Sequence, residues 1–366
     1  MIVSRMTAST VQRQVRHVSP VPPDAATGVV AATYAQIADE MRMVIPPALM
    51  HSPSPRALAA YWMLMRESLL VGDLADRARK EAVAAAVAVA TICPYCVDMH
   101  TVSMYELSGE HDAEQLSADR IGAMHDPAIR EISAWARSAH QAPEGTALPA
   151  GLSAAQRGEL IGTLTAMHYL TRTVNVFLAN FLLPPVLVGR ARRRMKQGLG
   201  RLLRSTLRAP RAPGRSVGLL PPADLPADLR WAAASPTVAR AMAGAAATYD
   251  AAAGRWLSDG VRALVAGHLD RWHGEETGIS TAWCEDALAG LDPHDRATGR
   301  LALLTAVASH QVGDDTVAAF RDVLPGDEAL VEVTGWAAFE AARRIGARQT
   351  DIDDGARKET HPQGAA

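Results

Sequence analysis

Two cysteines three residues apart, Cys93 and Cys96, are followed four residues later by His100. On a helix, spacings of three and four put all three side chains along one face, near enough to act on one another. Two thiols at that separation suit reversible disulfide chemistry, in which one thiolate attacks and its neighbour closes the bond. Pro94 lies between them, and proline is favoured in the first turn of a helix and disfavoured further in. A new helix is therefore expected to begin here, with Cys93 at or near its N-cap. The unpaired N–H groups and positive dipole end of such a helix favour a thiolate. That argument prefers Cys93 as the attacking thiol. The third cysteine, Cys284, stands alone and reads as a small buried residue.

Glu81 is the nearest acid that could serve this face. One straight helix would place it about 22 Å from Cys96, at about 1.5 Å per residue, far beyond hydrogen-bond reach. A break between Thr91 and Pro94 changes the geometry. If the two helices fold back on each other there, Glu81 and His100 both lie a few turns from the corner and can meet. An ionisable residue at the head of an alanine-rich helix then makes sense as a buried acid–base partner of His100. Taken alone, Glu81 reads as a surface residue in a charged first turn beside Arg77, Arg79 and Lys80.

The elements that must position these residues are helices. Hydrophobic residues make up 48% of the 366-residue chain and charged residues 21%, with long alanine stretches and few β-branched runs, a pattern that points to an all-α protein. The spacing of apolar residues, caps and prolines predicts helices over 29–43, 54–69, 77–90, from the cysteines to 107, 127–140 and 154–180. Pro46-Pro47 is expected to stop the first of these, and Gly109 to end the cysteine helix. His168 and Arg172, four apart on an apolar helix, are candidates for the pocket. The simpler reading of His168 is a core histidine satisfied by backbone.

The stretch from Glu81 through Cys93-Pro94-Tyr95-Cys96 to Val97-Asp98-Met99-His100-Thr101 resembles the AhpD-like alkylhydroperoxidase branch of the carboxymuconolactone decarboxylase family. That family's signature is a Glu, a Cys-X-X-Cys after an apolar helix, and a His four residues past the second Cys. Residues 168–178 are similar to the helix that follows in such proteins. The resemblance implies an AhpD-like helical bundle and peroxide reduction by a thiol pair. Carried over by position, it implies Cys96 as the peroxidatic cysteine, Cys93 as the resolving cysteine, and Glu81 with His100 as the proton relay. The implied partners are a small-molecule hydroperoxide and an external dithiol donor, dihydrolipoamide or thioredoxin-like. One position departs from the pattern: family members carry His immediately before the second cysteine, and this chain has Tyr95. That part of the relay is missing or replaced by a phenol.

Residues 1–28 read as an N-terminal arm and 29–188 as the AhpD-like domain. Residues 189–228 form a basic, proline-rich linker, 229–350 a second helical unit, and 351–366 a polar, disordered tail. The second unit is expected to be a degenerate tandem pseudo-repeat of the first. Ser54-Pro55 matches Ser235-Pro236 and Leu107-Ser108-Gly109 matches Leu288-Ala289-Gly290, both at an offset of 181 residues. At that offset Cys93, Cys96 and His100 fall on Gly274, Thr277 and Thr281, so one active site per chain is expected, with the second unit as scaffold. A net charge of -2 gives no global reason to expect nucleic acid or a membrane surface. No signal peptide or membrane span is evident, and a cytoplasmic location is expected. No phosphate loop or nucleotide fingerprint occurs, so no organic cofactor is inferred. Competing readings are a zinc site on Cys93, Cys96 and His100 with distant His111, a lactone decarboxylase, and a non-catalytic, stress-related scaffold. Homo-oligomer formation is compatible with all of these.

Overall fold

The structure, a computed structural model, describes residues 14–72, 74–141, 144–179, 181–184 and 186–360. Among these residues it is all-α, apart from isolated antiparallel bridges at Val15–Leu178 and Gly72–Arg211. The chain begins with α1 (Gly28–Met41), α2 (Pro46–His51) and α3 (Pro55–Met65), which runs on into a π-helical turn at Arg66–Leu70. Next come α4 (Leu74–Ala90), α5 (Pro94–Leu107), α6 (Glu110–Ser117), α7 (Pro127–Ser138) and α8 (Ala154–Phe177). A basic helix, α9 (Gly189–Leu207), precedes the second half. That half holds α10 (Pro236–Trp256), α11 (Asp259–Arg271), α12 (Ala282–Leu288), α13 (Arg296–Ala308), α14 (Asp314–Val323) and α15 (Asp327–Thr360).

Local chemistry sets most helix starts. Prolines 46, 55, 94, 127 and 236 all stand in a first turn, where a missing N–H costs nothing. Ser54 and Asp126 accept N–H bonds at their N-caps, and Ser153 with Gln156 forms a capping box. The expected helices are present with ends shifted by a few residues. Pro46-Pro47, expected only as a stop, also opens α2, and Gly109 separates α5 from a further helix, α6.

The alanine-rich α4 lies at the centre of the first half, packed against α5, α7 and α8. Residues 82–88, all alanine or valine, are fully buried, since short side chains let three neighbours close around one helix. The long helix α8 also packs on α15, and α3 on α10, so one apolar core runs through both halves. Gly162 permits part of this approach: a Cβ there would sit 2.7 Å from Val238 Cγ1. A buried polar chain crosses the same interface. His51 Nδ1 donates to Pro47 O, so its Nε2 accepts from the Tyr169 hydroxyl at 2.7 Å, and Tyr169 in turn accepts from Tyr249.

Arm residues 14–27 contain no helix and clasp both halves. Arg16 N–H donates to Phe177 O, its guanidinium pairs with Asp314, and Ser19 N–H donates to Asp327. Residues 189–228 form α9 and an irregular return whose basic side chains pair within the chain. Arg192 meets Asp98, Lys196 Glu114, Arg204 Glu106, Arg211 Glu40 and Arg215 Asp39. The offset of 181 residues does not hold near the cysteines, because Gly274, Thr277 and Thr281 lie in the non-helical stretch between α11 and α12. Helix α15 continues to Thr360, through part of the segment expected as a tail. Residues 1–13 of the arm and 361–366 of the tail lie outside the described residues, as do Asn180 and Pro185. Among the described residues, no helix is long and apolar enough to cross a membrane.

Candidate active site

The site is built on the corner between α4 and α5. Helix α4 ends in a Schellman motif, with Ile92 N–H bonded to Val89 O at 3.2 Å and Cys93 N–H to Ala88 O at 2.9 Å. The motif requires a left-handed residue, usually glycine, and here Ile92 occupies it at φ 51°. Chain direction reverses at that point. Cys93 is the N-cap of α5 and Pro94 its first residue, so α5 packs back along α4.

This fold-back brings the four expected residues together. Cys93 Sγ and Cys96 Sγ are 2.7 Å apart, both thiols free and buried. A small closing movement would allow the bond of about 2.05 Å that joins a disulfide. Glu81 is buried, not at the surface, and its Oε2 lies 2.7 Å from His100 Nδ1. Its other oxygen accepts from Arg77 Nε at 2.8 Å. Arg77, which sequence reading left in a charged surface turn, is the second partner of this acid. Its position four residues before Glu81 was the available signal.

Burial alone would push the Glu81 carboxyl up, but the charges and hydrogen bonds of Arg77 and His100 outweigh it and hold the group at about 2. The carboxylate is therefore ionised at neutral pH and only accepts, so His100 Nδ1 carries the proton between them and Nε2 is the basic nitrogen. Cys96 is displaced the other way. Burial, then the hydrogen bond and charge of Cys93, push its thiol well above the usual range. Tyr95, which stands where family members have His, is also raised by burial and by the neighbouring sulfurs. Its hydroxyl donates to Gln14 Oε1 in the arm at 3.4 Å.

Cys96, Glu81, His100, Arg77 and Tyr95 line one cavity of about 280 Å³, and Cys93 is not among its lining residues. The rest of the wall is largely apolar, including Tyr61, Met65, Leu69, Leu70, Leu170 and Val174. Helix α9 closes one side with Leu199, Leu203 and Leu207, a stripe at four-residue spacing hidden among arginines in the sequence. His168 and Arg172 do not reach this cavity and line a different one. His111 lies away from the sulfurs, stacked on His125 and grouped with Asp112.

No family model matches the chain, and no solved structure matches it. A curated relative, described as alkyl hydroperoxide reductase Rv2159c of Mycobacterium tuberculosis, is 40% identical over 332 residues, covering 91% of this chain and 94% of the relative. Identity at that level over nearly the whole of both chains, together with an all-α bundle that carries the Cys-X-X-Cys pair, places this protein in the AhpD-like carboxymuconolactone decarboxylase family.

Proposed function

We propose that the chain is a thiol-dependent hydroperoxide reductase in which Cys96 meets the peroxide, Cys93 resolves, and Glu81 with His100 moves the proton. The observation that carries this reading is the shared cavity: Cys96, Glu81 and His100 line it, and Cys93 touches Cys96 from behind it. The similar mycobacterial protein is described as an alkyl hydroperoxide reductase, which agrees with that chemistry.

In the proposed cycle His100 Nε2 takes the Cys96 proton, and the thiolate attacks the distal peroxide oxygen. The O–O bond breaks, Cys96 becomes a sulfenic acid, and the leaving alkoxide collects the proton to depart as an alcohol. Cys93 then attacks the sulfenic sulfur, expelling water and forming the Cys93–Cys96 disulfide. An external dithiol reduces that disulfide by exchange and leaves as its own disulfide. Because burial holds Cys96 as a thiol, a base beside it is a requirement. The ionised Glu81 fixes the tautomer that supplies one.

The largely apolar wall favours an organic hydroperoxide over hydrogen peroxide, since burying each methylene is worth about 0.8 kcal/mol. Hydroperoxide consumption with dihydrolipoamide as donor tests the reading. Cumene hydroperoxide is expected to give a kcat/KM at least about tenfold above that of hydrogen peroxide. Failure to consume either peroxide with dihydrolipoamide or a thioredoxin-like donor would remove the proposal.

The second half is read as a degenerate copy without chemistry. Helices α13 and α14 meet at a corner and α13 packs on α15, as α4 and α5 meet and α4 packs on α8. Asp76-Arg77-Ala78 then matches Asp295-Arg296-Ala297 at an offset of 219 residues. Under that alignment Arg300, Val312, Asp315 and Ala319 stand where Glu81, Cys93, Cys96 and His100 do.

A further inference from the structure

A second cavity, of about 330 Å³, lies between the two halves, behind the α4–α5 corner. Val89, Trp272 and Val307 give it apolar walls, and His140, His168 and Arg172 give it a polar end. Arg172 is buried, yet among the described residues no carboxylate pairs with it. Its Nε donates to Ala306 O at 2.8 Å, and its Nη1 donates to His168 Nδ1 and to His168 O, both at 2.9 Å. Nη2 makes no hydrogen bond among the described residues.

The guanidinium can only donate, so His168 Nδ1 is the acceptor and its proton sits on Nε2. That Nε2–H is fully buried and has no partner, and His140 Nδ1 is likewise unpartnered. The two imidazole centroids are 6.3 Å apart. Burial, reinforced by the Arg172 charge, lowers His168 well below the usual range and His140 to about 4, so both rings are neutral at pH 7. Burial lowers Arg172 only to about 10, so it stays charged. On the rim, Arg137 pairs with Asp119, Glu275 accepts from His273 N–H, and Glu276 adds a second, exposed carboxylate. The buried end thus holds a guanidinium without an ion-pair partner beside two imidazoles with unused nitrogens, while the carboxylates of the lining stand at the exposed rim. Buried polar groups and charges in folded proteins are ordinarily paired, so this arrangement asks for an anionic acceptor.

We propose that this cavity binds a small organic carboxylate, whose oxygens accept from Arg172 Nη2, His168 Nε2–H and His140 Nδ1 in its protonated tautomer. A single negative charge matches the single guanidinium, and the apolar walls suit the organic portion. Inorganic phosphate, a mixture of mono- and dianion at neutral pH with no apolar portion, suits the apolar walls and the single guanidinium less well. The site is separate from the thiol pair and does not depend on the peroxidase reading.

Calorimetric titration of the full chain with benzoate, and separately with inorganic phosphate at matched ionic strength, tests the assignment. Benzoate is expected to bind saturably with one site per chain, at least about tenfold more tightly than phosphate, and Arg172→Gln to weaken it about 100-fold. If that variant does not fold, the ring 15N resonances of His168 in the unaltered protein give a second readout. Benzoate is expected to shift Nε2, and Val307→Phe, which fills the cavity from α13 while leaving every polar group in place, to abolish the shift. Absence of saturable benzoate binding, binding indifferent to both substitutions, or tighter binding of phosphate would each overturn the proposal.

Discussion

The two helical corners, α4–α5 in the first half and α13–α14 in the second, both meet α8 and differ in what they hold. Asn175 of α8 touches both, donating to Thr91 O at one and to Ser309 Oγ at the other. The first corner turns through Ile92 in a left-handed conformation, whereas the second turns through Ser309, Val312 and Gly313 with φ negative at each. Behind the first corner an acid, an imidazole and two sulfurs converge; beyond the second, Val317 and Phe320 of α14 are buried in the apolar core. The difference between the corners thus resides in a handful of side chains and one left-handed residue. Sparsely populated backbone conformations persist where the surrounding structure over-determines them, as the Schellman bonds do at Ile92.

The contrast breaks most sharply at the sulfurs. Cys96→Ser is expected to abolish peroxide consumption outright. Cys93→Ser should stop turnover but still consume one equivalent, leaving a Cys96 sulfenic acid that dimedone captures in a mass spectrum. Next in size is the relay: Glu81→Gln and His100→Gln should each lower kcat/KM about 100-fold, the usual cost of losing positioned acid–base assistance.

Glu81 also links the site to acid stability. Its carboxyl is held at about 2 in the folded chain, below the ordinary 4.5, so its ion pairs contribute stability that is complete above about pH 5. That contribution is lost as pH falls towards 2, because the unfolded chain takes up the proton first. Thermal unfolding followed from pH 7 to pH 3 should fall more steeply for the unaltered protein than for Glu81→Gln. Parallel profiles would show that the pair is not what holds the carboxyl down.

The smaller effects sharpen the comparison. Ile92→Gly removes a β-branched side chain from the left-handed region and should raise stability by about 1 kcal/mol, read as a higher Tm. Arg300, the counterpart of Glu81 under the proposed alignment, pairs with Glu285 near the surface. Arg300→Ala should leave kcat/KM within about twofold, as expected of a surface ion pair remote from the site.

Much of the reactive corner was legible in the sequence because its signals are local. Proline at the first turn, cysteine at the cap and imidazole four residues on each follow from helix geometry. The fold-back that joins Glu81 to His100 also follows once a break is placed at Thr91–Pro94. What escaped was long-range. The leucine stripe of α9 reads as part of a basic linker until Asp98, Glu106 and Glu114 are seen to neutralise its neighbours. The offset of 181 residues joined two helix starts, at Ser54 and Ser235, yet carried the cysteines into the non-helical stretch before α12. His168 was expected as a backbone-satisfied core residue, whereas the structure gives its Nδ1 to Arg172 and leaves Nε2 without a partner.

The central claim is that Cys93 and Cys96 act as one redox unit. Adding one equivalent of cumene hydroperoxide to the reduced protein and counting free thiols tests it directly. The account predicts loss of two thiols per chain, a Cys93–Cys96 linkage in the peptide map, an intact Cys284 thiol, and full recovery with dithiothreitol. Retention of all three thiols, or a linkage that involves Cys284, would contradict it.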